Sequence, residues 1–457
     1  MNALHALAWF VCDTPFAAIP EAVVGKARRH FLDTLGAALA GADTELTQRC
    51  LRALLCSEPA GEVAVWGGTQ RLSARSAALV NGVAAHALEL DDAGGCDHSG
   101  AVVVPALLAV IPLCSAPPDG EALLTAMVLG YDVARRVLEA CGGYSPHNAA
   151  GWHSTGTCGV FGAAAACARL LELNADQTAH ALALAASMSG GLWSFIHDGA
   201  DSKKLHAGRP AEAGLLAALL AREGMRGPGQ VFEDSWGGFL RTYAGSGTGA
   251  AAEPQALTAE LGSVWKLARC SIKPYAACRG THAAIDAVGA LLAELGIDGT
   301  QVERIDVRAS AFLVDMCAGV DTGTLAAAQM SLPYALAVRC LRGSVGLDSY
   351  EGQVRAAPEV QRLMAAIRMG IEPSLAPLDE PFVQVTGADG RSATRQVKLA
   401  LGGPLNPLSD EALIDKFCSL AIRALPAAQV DGLVELCMAL GADTDVPRLL
   451  ELLQPGA

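Results

Sequence analysis

Four short segments group side chains able to move protons or bind anions. The first is DDAGGCDHSG, with Asp91 and Asp92 ahead of His98. Two adjacent carboxylates and an imidazole can form a base with its orienting partner, or a metal site; a solvated acidic turn at a helix end is the structural alternative. Asp is electrostatically poor at a helix C-terminus, which favours a functional role. The second is GWHSTGT, where His153 stands among glycines and hydroxyl residues. Histidine titrates near neutral pH and suits proton transfer, although a capped helix start would look similar. The third, DSKKLHAGR, gathers Lys203, Lys204, His206 and Arg209 ahead of a helix. Such cations bind carboxylates well, and a helix N-terminus adds to the attraction; a solvated surface loop is the alternative. The fourth, KPYAACRGTH, carries Lys273, Cys278, Arg279 and His282. His282 and Asp286 have the spacing of a helical pair. Nothing local marks Cys278 as an activated nucleophile.

The chain has 10 histidines, and none lies beyond His282. Titratable chemistry is therefore concentrated in the first part of the chain and at one junction. Cations, imidazoles and paired carboxylates together suit a small polycarboxylate substrate and acid–base chemistry. A nucleophile elbow and glycine-rich nucleotide loops are missing, which disfavours acyl transfer and bound ATP or NAD. The 14 cysteines show no zinc-site spacing, so no metal is expected; a metal site from Asp91, His98 and His153 is the alternative.

These segments must be held by elements built mainly from small apolar residues. Of 457 residues, 52% are hydrophobic, 18% charged and only 5% aromatic, so the cores are made of Ala, Leu and Val. A formal net charge of −14 argues against nucleic acid and anionic membranes as partners. The uncharged stretches 101–118, 151–168 and 178–197 carry Pro, Gly, Ser and Thr and read as buried core rather than membrane spans. The N-terminal residues show no secretory pattern, so reduced thiols and a cytoplasmic location are expected. Apolar periodicity predicts helices over 22–40, 74–90, 101–113, 121–140, 160–171, 176–188 and 211–223, with polar loops at 91–100, 151–159 and 198–209. Beyond Trp265 the pattern changes. Residues 301–308, 382–386 and 393–399 alternate like strands, with helices at 283–295, 326–340 and 353–369. Ser409 offers an N-cap to a returning helical tail. The expected fold is mostly α. A large all-helical domain, 1–266 plus 400–457, receives a smaller inserted α+β domain, 267–399.

Seven segments in order resemble the MmgE/PrpD family, which includes 2-methylcitrate dehydratase, cis-aconitate decarboxylase and iminodisuccinate epimerase. They are FLDTLGAALAG, VNGVAAHALELDD, HSGAVVVPALLA, GWHSTGTCGVFGAAAACARLL, SKKLHAGRPAEAGLLAALLA, KPYAACRGTH and AQMSLPYALA. The resemblance implies a helical domain with an α+β lid, a site in the cleft, a homodimer and no organic cofactor. It places site positions on Asp91, His98, His153, Lys203, His206, Lys273 and His282, with Tyr334 nearby. Asp91, His98, His153, Lys203 and Lys273 are expected to be catalytic; His206, Arg209, Cys278, Arg279, His282 and Tyr334 are expected to bind substrate. The implied step is proton abstraction next to a carboxylate by His153 or His98, positioned by Asp91. The expectation is a lyase that dehydrates a 2-methylcitrate-like hydroxy acid. Epimerisation of an (amino)dicarboxylate such as iminodisuccinate, or decarboxylation of the cis-aconitate type, are the alternatives; outside this class stand a metal-dependent hydrolase and a non-catalytic binding homologue.

Overall fold

Helices begin where a short polar side chain can take up a free main-chain N–H. In the computed structural model, which describes residues 2–244 and 251–456, Ser73 accepts from Ser76, Asp119 from Ala122, and Asn174 forms a capping box with Gln177. The helices that frame the histidine-rich segments are α1 (Glu21–Gly41), α2 (Ala74–His86), α3 (Ser99–Val110), α4 (Gly120–Ala140), α5 (Ser154–Leu170), α6 (Ala175–Ala186) and α7 (Ser202–Arg222). Among the described residues, no helix is long and apolar enough to cross a membrane.

The chain divides into two compact units. The first comprises Met1–Trp193, Ser202–Ile272 and Ser409–Ala457; the second comprises Ser194–Asp201 and Lys273–Leu408. The first unit is helical apart from a short antiparallel pair, Val63–Ala64 with Arg71–Leu72, so the all-helical expectation needs that correction. In it α3, α5 and α7 pack against one another, and α2 packs on α7. Glycines let these helices approach backbone to backbone. A Cβ added at Gly208 would lie 2.2 Å from the Leu79 carbonyl oxygen, and one at Gly82 would lie 2.7 Å from Gly208 Cα. That close crossing brings the start of α7 beside the chain that leaves α2.

The second unit carries a four-stranded sheet in the order β2-β1-β3-β4. Its strands are β1 (Val302–Ala309), β2 (Ile367–Ile371), β3 (Phe382–Gly387) and β4 (Ser392–Gln396). β2 runs parallel to β1; β3 is antiparallel to β1, and β4 to β3. Val383 and Val385 face inward from β3, on the side where helix α8 (His282–Leu295) packs. Helix α9 (Leu332–Arg342) lies beside α8.

Several expected boundaries shift for identifiable reasons. α2 stops at His86 rather than 90, because Glu89 adopts a left-handed φ of 54°. The loops expected at 151–159 and 198–209 are largely helix: α5 starts at Ser154 and α7 at Ser202, with Pro210 accommodated inside it. The helix expected over 326–340 breaks at Ser331, whose side chain caps α9 just before Pro333. The helix expected over 353–369 gives way at Ile367 to β2, an edge strand with little inward-facing apolar surface.

The Gly82–Gly208 crossing makes a direct prediction. Gly208→Ala forces a methyl into the Leu79 carbonyl, and over-packing of this kind costs about 1–3 kcal/mol. A clear fall in Tm is the expected calorimetric result, and an unchanged Tm would contradict the crossing.

Candidate active site

Three helix N-termini in the first unit carry the key side chains. His98 is the N-cap of α3 and His153 the N-cap of α5, and neither imidazole caps its helix. Lys203 and Lys204 lie in the first turn of α7. Helix N-termini favour anions, so this arrangement places positive potential inside a protein of net charge −14.

Asp91 lies at the centre, fully buried. One oxygen is 2.9 Å from His86 Nδ1 and the other 2.9 Å from His98 Nδ1. Burial alone would raise this carboxyl, but the two imidazoles hold it well below its usual range. His98 Nδ1 also reaches the Asp92 main-chain carbonyl at 2.9 Å. With two acceptors on it, Nδ1 carries a proton, which fixes the ring orientation. The other nitrogen, Nε2, faces the Asp97 carboxylate at 3.5 Å. A carboxylate at each nitrogen favours the proton-bearing form of this ring, against the cost of its burial.

His153 is the complement. Its Nδ1 is 3.0 Å from His206 Nδ1, and its Nε2 is 3.6 Å from Asp97 and 3.4 Å from Thr155 Oγ1. Burial outweighs the attraction of Asp97 and pushes its pKa down to about 3. Burial, reinforced by Lys203, pushes His206 down to about 4. Both rings are therefore neutral near pH 7. Burial would raise Asp97, yet His98 and His153 hold it far below the usual carboxylate range. Its hydroxyl neighbour is Tyr144, with Oη 3.3 Å away. On the opposite side, Glu89 takes both Lys203, at 2.6 Å, and Lys204. Burial, partly offset by Glu89, lowers Lys204 to about 8. Glu89 and Asp97 both hold left-handed φ angles, 54° and 123°, which non-glycine residues rarely adopt. Such backbone strain clusters where function fixes side-chain direction.

The structure thus gathers Asp91, His98, His153, Lys203 and His206. Arg209 departs from the expectation: its side chain is 53% exposed and pairs with Glu212 one turn on. Lys204 joins them from the same segment as Lys203, and His86, Glu89 and Asp97 complete the group although their spacing did not single them out: His86 lies five residues before Asp91 and Asp97 adjoins His98. Among the described residues, the donor groups able to hold a metal are His86–Asp91–His98 and Asp97–His98–His153. Asp91 and His153, expected together in one such site, fall in different groups because Asp91 binds the Nδ1 edge of His98 and Asp97 faces its Nε2 edge. In the second unit, Lys273 is fully buried and Cys278 half-buried. Arg279 pairs with Glu380 at 3.2 Å. His282 opens α8 with Nε2 3.2 Å from the Ala277 carbonyl. Asp286, the expected partner of His282, instead accepts from Tyr275 Oη and the Leu401 N–H. Tyr334 is buried and donates to the Ser349 carbonyl.

The chain is thus mostly helical, with a small α+β unit and a buried group of histidines, carboxylates and lysines in its first unit. The chain belongs to the MmgE/PrpD family: the family's N-terminal domain matches residues 5–249 and its C-terminal domain residues 275–440. It is 28% identical to the cis-aconitate decarboxylase-like protein oryM of Aspergillus oryzae, over 99% of this chain and 97% of that protein. Identity to the cis-aconitate decarboxylase of Aspergillus terreus is 28% over 95% of this chain and 92% of the relative. For the Mus musculus enzyme of that name it is 26%, over 95% and 90%.

The low pKa of His153 has a consequence for stability. Its folded value of about 3 lies below the ordinary 6.5, so between these values the unfolded chain binds more protons. Stability therefore falls as pH drops through that window, by at most about 1.4 kcal/mol per pH unit for this one group. Urea unfolding across the window should show this slope, shallower in His153→Gln. An identical slope in the variant would show that His153 is not held neutral.

Proposed function

We propose that the protein is a lyase that decarboxylates an unsaturated tricarboxylate of the cis-aconitate kind, with His98 as proton donor. The observation that carries this reading is the His98 ring, fixed by Asp91 at one nitrogen and directed at Asp97 by the other. The names of the relatives support the substrate class and the reaction. They favour decarboxylation over the dehydration of a 2-methylcitrate-like acid that the sequence reading placed first.

The chemistry asks little else of the protein. In a substrate whose CH₂–COO⁻ group adjoins a C=C bond, the electron pair of the breaking C–C bond forms a new C=C. The old double bond takes one proton at its far carbon, and CO₂ leaves. A trianion plus one proton thus becomes a dianion and CO₂. His98 Nε2 supplies the proton, and Asp91 stabilises the ring before and after transfer. Lys203 and Lys204, at the α7 N-terminus, answer substrate carboxylates and exchange Glu89 for them. Neutral His153 and His206 donate or accept hydrogen bonds without adding charge. No step calls for a redox or organic cofactor. A homodimer in the cytoplasm completes the proposal; a light-scattering mass of one chain would remove the dimer from it.

The test is a panel of cis-aconitate, citrate, 2-methylcitrate and iminodisuccinate, followed by proton NMR and CO₂ release. CO₂ with new vinylic methylene signals from cis-aconitate is expected. Water loss from 2-methylcitrate without CO₂ would replace this reading with dehydration, and inertness toward the whole panel would overturn both. Lys203→Ala should raise KM about tenfold or more, in line with loss of a charge-assisted hydrogen bond; unchanged kinetics would remove Lys203 from the site. Turnover should survive exhaustive chelation with EDTA. Loss that added divalent metal restores would assign Asp97, His98 and His153 to a metal instead.

A further inference from the structure

Behind His98 lies a second carboxylate–imidazole couple that the proposed chemistry leaves unused. Asp92 is fully buried, and so is His30 on α1. Asp92 Oδ2 is 3.2 Å from His30 Nδ1. Its Oδ1 accepts the Gly100 N–H at 3.0 Å, in the first turn of α3. Its main-chain carbonyl faces His98 Nδ1 at 2.9 Å. One residue thus ties α1, the start of α3 and the His98 ring together.

The surroundings leave Asp92 no second place to go. A Cβ at Gly100 would lie 2.4 Å from Thr34 Oγ1, 2.8 Å from Tyr131 Oη and 3.2 Å from Asp92 Oδ1, so the pocket around that carboxylate is filled. The His30 ring meets Tyr131 edge-on, with centroids 6.0 Å apart. The ionisable groups that act on this region are Asp33 and Lys26 from α1, Tyr131 from α4, Cys96 from the loop before α3, and Cys270. Lys416 pins Asp33 and also donates to the Leu90 carbonyl, next to Asp91. His30 Nε2 is buried with no hydrogen-bond partner. Burying an imidazole with one nitrogen unsatisfied costs stability, and an apolar side chain would fill the same space without that cost. Among the described residues, the hydrogen bond that the His30 ring does make is the one to Asp92.

We propose that His30 is a positioning residue, acting through Asp92 to keep the Nδ1–H of His98 engaged and Nε2 directed at Asp97. This rests on the reading of His98 as proton donor. If Asp92 loses His30, its carboxylate keeps the Gly100 N–H as its one remaining hydrogen-bond anchor in this set. Its main-chain carbonyl is then held less tightly against His98 Nδ1, and Asp91 is left as the firmer of the two acceptors on that nitrogen. Ring orientation then becomes mixed, and proton transfer slows without a matching change in substrate binding.

The experiment compares wild type with His30→Ala and His30→Asn in the full chain. Asn can present an N–H donor near the position of Nδ1. With cis-aconitate, His30→Ala is expected to lower kcat about 10–100-fold, the range seen when an outer partner of a functional histidine is lost. KM should stay within about twofold, and His30→Asn should recover most of the lost kcat. A second readout does not depend on turnover. In ¹⁵N-histidine-labelled protein, the downfield Nδ1–H signal of His98 should broaden or move upfield in His30→Ala and return in His30→Asn. If kcat and the His98 signal both match wild type while Tm falls, His30 only packs, and the proposal is overturned. If wild type turns over none of the acids but the His98 signal still follows His30, the proposed function falls and the positioning role stands. Should His30→Ala fail to fold, His30→Phe takes its place against His30→Asn.

Discussion

A carboxylate buried away from water must be answered by nearby protons, and Asp91 meets that requirement through two imidazoles, His86 and His98. Much of the first unit follows from this one pairing. The chain has to leave α2 at His86, double back to offer Asp91, and enter α3 with His98 as its first cap. The left-handed residues Glu89 and Asp97 allow that path. Each of them also carries a carboxylate that faces another charged or ionisable group, Glu89 toward the lysines of α7 and Asp97 toward His98 and His153. The strained loop and the charge arrangement are therefore one device.

The pairing is effective because its groups are buried. Close crossings at Gly82, Gly208 and Gly214 pack α2, α5 and α7 backbone to backbone beside it. In such surroundings electrostatic contacts count for more than they would in solvent. The same burial acts differently on the two central histidines. His153, surrounded by Thr155, His206 and the Trp193 ring, is driven neutral. His98, with carboxylates at both nitrogens, is suited to carry a proton. Two similar side chains with opposite preferences form a natural acid–base couple.

Much of this was legible in the residue order. The helices over 22–40 and 121–140 were readable because their apolar residues keep helical spacing, and the strands at 301–308 and 382–386 because they alternate. His98 and His153 stood out as imidazoles among glycines and hydroxyls. What the order hid has physical causes. SKKLHAGRP has the composition of a solvated loop, yet Glu89 pairs with both of its lysines and helix α7 begins at Ser202 with them buried. Glu89 itself looked like an ordinary helical residue, because nothing in its neighbours announces a left-handed turn. His86 and His30 sit within apolar helices, where a histidine reads as core, and their partners lie 5 and 62 residues away. Arg209 misled for the opposite reason: helical phase turns it outward to Glu212.

The proposed function turns on His98, held by Asp91, delivering the proton that accompanies loss of CO₂. The most direct measurement is turnover of cis-aconitate in D₂O by wild type and His98→Asn, with product deuteration followed by NMR and substrate affinity measured separately. The account requires one solvent deuteron per turnover in the wild-type product. It also requires a fall of about 10²–10⁴ in kcat for His98→Asn, the usual worth of a general acid, with affinity largely kept. A variant that still turns over and deuterates its product at the wild-type rate would contradict it.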